Sequence, residues 1–258
     1  LQLLLILSGV LIIAAIVAIP FARVEYHRLG TCKRLQYIHI SLENYHQTYG
    51  CYPPQYLTDR QGRPAHSWRV LILQFLKPDL YQRYRFDEPW NGPHNKLLAA
   101  EMPEEYRSPF LDSNSTITQY VGIAGEGTPW QGTIPLHRED LIRGRNDLAH
   151  AKSNPLVWFV EAASSDINWM EPRDIPLKQA LVGINVAGGI QSNYSEGLPA
   201  QMIPYGCKWV PVNTSPNAFR AMLTIDGGKD KSREKTSSSA NGKHPSPDVK
   251  RPPNRTKK

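Results

Sequence analysis

The chain has 258 residues, with 30 Lys and Arg against 23 Asp and Glu and a formal net charge of +7. The excess lies in residues 229–258, which carry ten basic and three acidic side chains, whereas the preceding 228 residues carry 20 of each. Because nucleic-acid binding requires a basic surface facing the phosphates, we expect no nucleic-acid partner for the body of the chain.

Residues 1–22 read LQLLLILSGVLIIAAIVAIPFA and contain no charged side chain. At 1.5 Å per residue, a helix of this length crosses a hydrocarbon layer roughly 30 Å thick. Two alternatives fit less well: a secretory h-region is about 7–15 residues long, and a core helix of a soluble domain usually has a polar face. We therefore predict a transmembrane helix that anchors the chain in a lipid bilayer through Leu1, Leu5, Leu11, Ile16 and Pro20.

Residues 23–50 continue the anchor as an amphipathic helix. Gly50 is placed as its C-terminal cap, and Pro53 and Pro54 prevent it from continuing. Apolar side chains recur at steps of three and four, the period of one helix face, at Leu35, Ile38, Leu42, Tyr45 and Tyr49. Anchor and amphipathic segment together predict one long N-terminal helix, with Pro20 as the place for a bend.

The segment 51–228 is predicted to be a globular head. A second helix is expected near 66–82, broken or kinked at Pro78, and a short final helix is expected at 217–223.

The strands of the head are predicted from short apolar runs between turn residues. The strongest are 116–124 and 156–162, and the weaker candidates are 180–186 and 208–212. Pro211 would place the last of these at a sheet edge. The order of elements indicates an α+β fold, with a long helix first and a strand-rich body after it.

The basic tail, 229–258, contains one aliphatic side chain larger than Ala, Val249. It cannot bury enough apolar surface to offset the entropy of ordering, so we expect it to be disordered. It either keeps the chain soluble or contacts a polyanion such as lipid headgroups, cell-wall polymer or nucleic acid.

The three cysteines, Cys32, Cys51 and Cys207, do not form a zinc motif, because no two lie within four residues of each other. An odd number leaves at least one thiol unpaired in an exported domain. A Cys51–Cys207 bridge is one option that spacing alone does not decide.

Several phrases resemble a large bacterial family whose members have a prepilin-type N-terminus and a domain of unknown function, and which is numerous in planctomycetes. The most specific phrase is SWRVLILQFLKPDLYQRYRFDEPWNGPHN (67–95), and LENYHQTYGCYPP (42–54) and QYVGIAGEGTPW (119–130) match in the same order. The residues that carry this family signature are Trp68, Arg69, Phe86, Asp87, Glu88, Pro89, Trp90, His94 and Asn95.

The resemblance implies an architecture similar to type IV pilins and type II secretion pseudopilins. A hydrophobic helix would run into a pilin-like head with an antiparallel sheet, on the extracytoplasmic side of a membrane, and the partners would be pilin-like or secretion-system subunits. The chain is a divergent member: it lacks the Gly-Phe-Thr-Leu-Val-Glu opening and the His-x9-Asp-Gly signature, and Ser108 stands where a cysteine is expected. Arg23 and Arg28 directly after the anchor favour the opposite orientation by the positive-inside rule.

One loop, 87–94, has residue types that could carry chemistry. Asp87, Glu88 and His94 could bind a metal ion or act as acid and base, with His66 nearby in sequence. The alternative is a rigid Pro- and Gly-rich turn with solvated charges.

A second acidic set surrounds Trp169 and consists of Glu161, Asp166, Glu171 and Asp174. Carboxylate oxygens are the ligands that calcium requires, but EF-hand spacing is absent. We therefore expect no cofactor, unless this acidic set binds a calcium ion.

The sequence thus predicts a single-pass, pseudopilin-like envelope protein with a structural or protein-interaction role, and not an enzyme. The alternative is a membrane-tethered metal-binding module or hydrolase that uses the loop 87–94.

Overall fold

The computed structural model describes the backbone of residues 2–144 and 155–228, and the side chains of residues 22–141 and 155–228. The predicted disordered tail, 229–258, lies outside the described residues.

The first element is one helix, α1, which runs from Gln2 to Tyr49 without interruption at Pro20. It ends at Gly50, whose φ is 76° and whose N–H donates to the His46 carbonyl over 2.8 Å. A left-handed residue is the usual end of a helix and favours glycine, so the predicted cap is confirmed.

The predicted anchor falls largely outside the described side chains. Within the part of the chain that the structure describes, no helix combines the length and the apolar character needed to cross a membrane. Leu1 and the side chains of Leu5, Leu11, Ile16 and Pro20 lie outside that part, so the transmembrane assignment stays a prediction.

The second half of α1 packs into the head as the periodicity predicts. Leu35, Ile38 and Leu42 are fully buried and Tyr45 nearly so, in one apolar cluster with the first short helices of the head. Tyr49 is more exposed, and its hydroxyl donates to Gln74 over 2.9 Å. The buried stripe therefore attaches the second half of α1 to the head.

A small hairpin and three short helices follow α1. The single helix predicted at 66–82 is divided, and Pro78 begins a new helix at a position where its missing N–H is not needed. The elements are β1 (Tyr56–Thr58), β2 (Pro64–Ser67), α2 (Trp68–Leu71), α3 (Leu73–Leu76) and α4 (Pro78–Arg83). Two 3₁₀ helices come next, Asn95–Glu101 and Glu104–Tyr106.

The centre of the head is a five-stranded sheet in the order β5-β3-β4-β6-β7, parallel between β3 and β5 and antiparallel elsewhere. The strands are β3 (Tyr120–Ala124), β4 (Leu156–Glu161), β5 (Ile175–Pro176), β6 (Gly197–Ile203) and β7 (Gly206–Pro211). Among the described residues, three further helices lie between or after them: α5 (Arg138–Gly144), α6 (Leu177–Ala180) and α7 (Pro216–Leu223). The α+β fold and its antiparallel pairs are confirmed.

The sheet is covered on both faces, so every residue of β4 is buried. One face packs against α7 through an apolar cluster that includes Val121, Leu198, Val210, Phe219 and Leu223. The other face packs against α1 and includes Trp158 and Cys207. The second half of α1 is thus part of the core.

Two strand assignments differ from the sequence prediction. The predicted strand 180–186 is wrong: the segment follows the short helix α6 and turns at Gly183 and Asn185, whose φ values of 130° and 57° are not extended. The strand β6 was not predicted, because Pro199 and Gln201 interrupt its apolar pattern. The edge strand predicted at 208–212 is β7, and the predicted final helix is α7.

A disulfide joins α1 to the sheet. Cys32 on α1 is bonded to Cys207 on β7, with 5.4 Å between their Cα atoms and a sequence separation of 175, and Cys51 is free. The option of a Cys51–Cys207 bridge is therefore wrong. The reason is distance, because Cys51 follows the far end of α1, which is about 25 Å along the helix from Cys32.

We expect the Cys32→Ser variant, or reduction of the disulfide, to lower the free energy of unfolding by about 2–5 kcal/mol, since the bridge closes a long loop in the unfolded chain. Chemical denaturation with and without reductant measures this difference. Cys51→Ser is the matched control and should change stability by about 1 kcal/mol at most. Equal losses in the two variants would contradict the assignment of the bridge.

Candidate functional site

The candidate site is the helix–head junction, defined as residues 27–34 of α1 together with the head segments that touch them. At its centre is Glu161, the last residue of β4, whose side chain is fully buried. Its carboxylate accepts hydrogen bonds from the hydroxyls of Ser108, over 2.6 Å, and Thr31, over 3.1 Å. The Tyr194 hydroxyl is hydrogen-bonded to the Thr31 hydroxyl over 3.2 Å. One carboxyl group therefore joins α1 to β4 and to the loop at Ser108.

The electrostatics of this centre are unusual because hydroxyl groups, and not a cation, surround the carboxylate. Burial raises the pKa of Glu161, and the hydrogen bonds from Ser108 and Thr31 and the charge of Arg34 oppose that shift only in part. Among the described residues, no Lys or Arg forms an ion pair with Glu161. The folded environment therefore favours the protonated form of Glu161 more than water does.

Charged side chains hold the helix on either side of Thr31. Arg28 forms an ion pair with Glu196 and lies over the Trp209 ring, 5.0 Å from its centroid. Arg34 binds Glu104 over 2.5 Å. With the adjacent disulfide, these contacts attach one short stretch of α1 to three parts of the head, which are the residue just before β6, the strand β7 and the second 3₁₀ helix. The direction in which α1 leaves the head is therefore fixed.

Aromatic rings continue the junction toward the N-terminal part of α1. The ring of His27 lies 4.8 Å from Phe110, and Phe110 lies 5.6 Å from Tyr194. Tyr194 in turn lies 5.5 Å from Trp209. Sequence reasoning missed these residues, because their common position depends on how α1 crosses the sheet.

The predicted metal loop, 87–94, is organised around a different residue, the fully buried Asn95. Its side chain bonds the N–H and the carbonyl of Arg85 over 2.9 and 2.7 Å and the carbonyl of Pro89 over 3.1 Å. Glu88 accepts from the backbone N–H groups of His94 and Asn95 over 3.0 and 2.6 Å. These bonds make the loop a rigid turn.

Two of the three candidate ligands in this loop, Glu88 and His94, therefore bond backbone groups. His94 contacts the Arg83 carbonyl over 2.9 Å through Nε2, so that nitrogen is the donor, and Asp87 points to solvent. Across the described residues, no group of three or more His, Cys, Asp or Glu side chains is placed to hold a metal ion. Of the two readings of this loop, the contacts favour the turn.

The second acidic set does not converge on a common point either. Asp166 and Glu171 both pair with Arg173, over 2.8 and 2.7 Å. Asp174 forms an ion pair with Arg69, and Glu161 accepts a hydrogen bond from Thr31 at the helix–head junction. The arginines that divide this set cannot be recognised from the spacing of the carboxylates.

The signature residues Trp68 and Arg69 form a second buried centre with Asp174. Arg69 is fully buried, and its guanidinium binds the Asp174 carboxylate over 2.7 Å and the Trp169 carbonyl over 3.0 Å. The indole N–H of Trp68 donates to the same carboxylate over 3.2 Å, and so does the N–H of Gly122, over 2.9 Å. This centre joins α2 to β3 and to the chain before β5.

An open groove of about 480 Å³ lies beside Asp174. Several of its polar side chains already bond the surrounding loops: Gln55 and Gln131 accept from the N–H groups of Gly132 and Gly127 over 3.1 and 3.2 Å. The groove lining includes Gln55, Tyr56, Glu126, Trp130, Gln131 and Arg173. These bonds stabilise the wall of the groove.

Fold and junction together define the class of protein: an α+β head joined rigidly to a long N-terminal helix. The family model SBP_bac_10, described as a protein of unknown function (DUF1559), matches residues 28–164, and the chain belongs to this family. No curated protein and no solved structure matches the chain. The predicted membership in a family with a domain of unknown function is confirmed, whereas the prepilin-type N-terminus and the link to planctomycetes stay predictions.

We expect Glu161→Gln to remove one contribution to the pH dependence of stability. The folded protein binds the Glu161 proton more tightly than the unfolded chain, because the pKa is raised. This contribution is complete below the ordinary glutamate pKa and is lost as the pH rises through the raised value. The variant should therefore be more stable than the unsubstituted protein at neutral pH, measured as the midpoint of thermal unfolding across a pH series. The same gain in Glu126→Gln, an exposed control, would count against this account.

We expect Asp174→Ala to lower the free energy of unfolding by about 3–5 kcal/mol, since it leaves Arg69 charged and buried without its partner. The matched control is Asp166→Ala, which breaks the exposed pair with Arg173 and should cost about 1 kcal/mol or less. Denaturant titration measures both. Similar losses of free energy in the two variants would show that burial of the Arg69–Asp174 pair does not determine the cost of breaking it.

Proposed function

We propose that this protein is a single-pass, membrane-tethered, pseudopilin-like envelope protein whose head has a structural or protein-interaction role and is not catalytic. The observation that carries this proposal is the continuity of α1. The helix that begins in the uncharged stretch 1–22 is the same helix that the head buries and clamps at Thr31 and Cys32. Any force or position imposed on the N-terminal part of α1 is therefore transmitted to the head.

The Cys32–Cys207 disulfide supports an extracytoplasmic head, because disulfides form and persist in oxidising compartments. The proposed orientation thus has the head outside the cytoplasm, against the positive-inside reading of Arg23 and Arg28.

An interaction role is supported by a stripe of exposed apolar side chains on the face of α1 that points away from the head. Tyr26, Leu29, Tyr37 and Ile40 are 74%, 66%, 44% and 45% exposed and recur with helical spacing. The proposed partners are pilin-like or secretion-system subunits, and for the tail 229–258 a polyanion.

The alternative, a metal-dependent module that uses Asp87, Glu88 and His94, draws no support from their contacts.

We expect deletion of residues 1–22 to move the protein from the membrane fraction to the soluble fraction, because the deletion removes the uncharged stretch. The measurement is fractionation after alkaline carbonate extraction. Deletion of 229–258 is the control and should leave the protein in the membrane fraction. Retention of the 1–22 deletion variant in the membrane would overturn the tether, and stoichiometric metal in the purified protein would favour the alternative.

A further inference from the structure

An exposed aromatic and apolar surface surrounds α1 where the helix enters the head. We call it the collar and define it as Val24, Tyr26, His27 and Phe110. Val24, Tyr26 and Phe110 are 48%, 74% and 42% exposed. The His27 ring lies 4.8 Å from Phe110 and 6.0 Å from Tyr26, and Val24 lies one helical turn before His27. Helix and head therefore contribute to one continuous patch.

The position of the collar along α1 sets its distance from the uncharged stretch. Residues 1–22 span about 33 Å as a helix, close to the roughly 30 Å of a hydrocarbon layer. His27 follows Ala22 by about 8 Å along the same helix. The polar layer on each side of the hydrocarbon is about 5–8 Å thick, so a bilayer centred on the uncharged stretch has its headgroups at the level of the collar.

The direction of the side chains brings the collar closer still. In an α-helix the side chains tilt toward the N-terminus, which in α1 is the side of the uncharged stretch. The rings of Tyr26 and His27 therefore lie closer to the N-terminal end of α1 than their own Cα atoms do. Phe110 contacts the His27 ring.

The chemistry of the collar fits the boundary between lipid and water, where aromatic rings are enriched because one end is apolar and the other is wet. The charges around it are balanced: Arg23 and Arg28 lie beside Glu25 and Glu196, and Arg28 is already paired with Glu196. A contact made by this surface should therefore depend little on the charge of the lipid.

We propose that the collar docks onto the phospholipid headgroup layer of the membrane that holds α1, so that the head sits on the bilayer and does not stand off from it. This inference rests on the proposed tether. The junction at Thr31 and Cys32 makes the contact obligatory, because the head cannot swing away from the axis of α1.

The test uses the full chain with Cys51→Ser, which removes the free thiol and keeps the native disulfide. Single cysteines replace Phe110 and Tyr26 in the collar, Leu11 in the proposed anchor, and Leu97 on the head as a control that is 70% exposed. Each variant is labelled with a fluorophore and reconstituted in two sets of phosphatidylcholine vesicles. In one set the lipids carry bromine near the headgroup, which tests positions 110, 26 and 97. In the other set they carry bromine near the ends of the acyl chains, which tests position 11, because bromine quenches fluorophores within contact distance.

We expect quenching at 110 and 26 to be severalfold stronger than at 97, and unchanged when phosphatidylglycerol is added. If position 11 is quenched but position 110 is quenched no more than the control at 97, the collar is overturned and the tether stays intact. No quenching at 11 would overturn both. If the fluorophore at 110 is shielded from the bromine, and this shielding disappears when the protein is diluted into more lipid, a second copy of the chain covers the collar. That result would contradict the proposal.

A second measurement needs no substitution in the collar. Hydrogen exchange of the amides in 108–112 of the unsubstituted protein should slow in lipid nanodiscs relative to detergent micelles, while exchange in 95–101 stays the same. Equal exchange of 108–112 in the two environments would contradict the proposal.

Discussion

The burial of α1 against the central sheet is the constraint on which the rest of the structure depends. The apolar stripe of Leu35, Ile38 and Leu42 is fully buried, but such a stripe is tolerant of sliding and rotation. Register is fixed by the groups that require particular partners: the disulfide of Cys32, the hydrogen bond of Thr31 to Glu161, and the ion pair of Arg28. All three lie within about one turn of each other, so together they fix where α1 leaves the head.

Two buried carboxylates stabilise the head in different ways, one through an ion pair and the other through hydrogen bonds from hydroxyl groups. Asp174 is charged and compensated by the buried guanidinium of Arg69, and removing either partner leaves an isolated charge in a poorly polarisable interior. Among the residues that the structure describes, hydroxyl groups and no cation bind Glu161, and burial raises its pKa. The first arrangement joins α2 to β3 and to the chain before β5 through an ion pair, while the second links part of the stability of the α1 attachment to the protonation of Glu161.

How much the sequence could predict depended on whether a feature is local. The stripe at Leu35, Ile38 and Leu42, the cap at Gly50 and the runs that became β3 and β4 are local patterns, and they were predicted. The strand β6 was not, because Pro199 breaks its pattern and pairing with both neighbouring strands holds it in place. The partners of Cys32, Arg69 and Glu161 are each more than 50 residues away in sequence, and so depend on the tertiary fold. The family signature singled out Arg69 and Asn95, both of which make buried contacts within the head.

The central claim is that a long helix, anchored at its N-terminal end, is covalently and rigidly joined to a head outside the cytoplasm. It is tested most directly by mapping the disulfide in protein extracted from membranes with an alkylating reagent present and no reductant. The account predicts a linked peptide pair containing Cys32 and Cys207 in the membrane fraction, with Cys51 alkylated. Three alkylated cysteines, or a linked peptide containing Cys51, would contradict it.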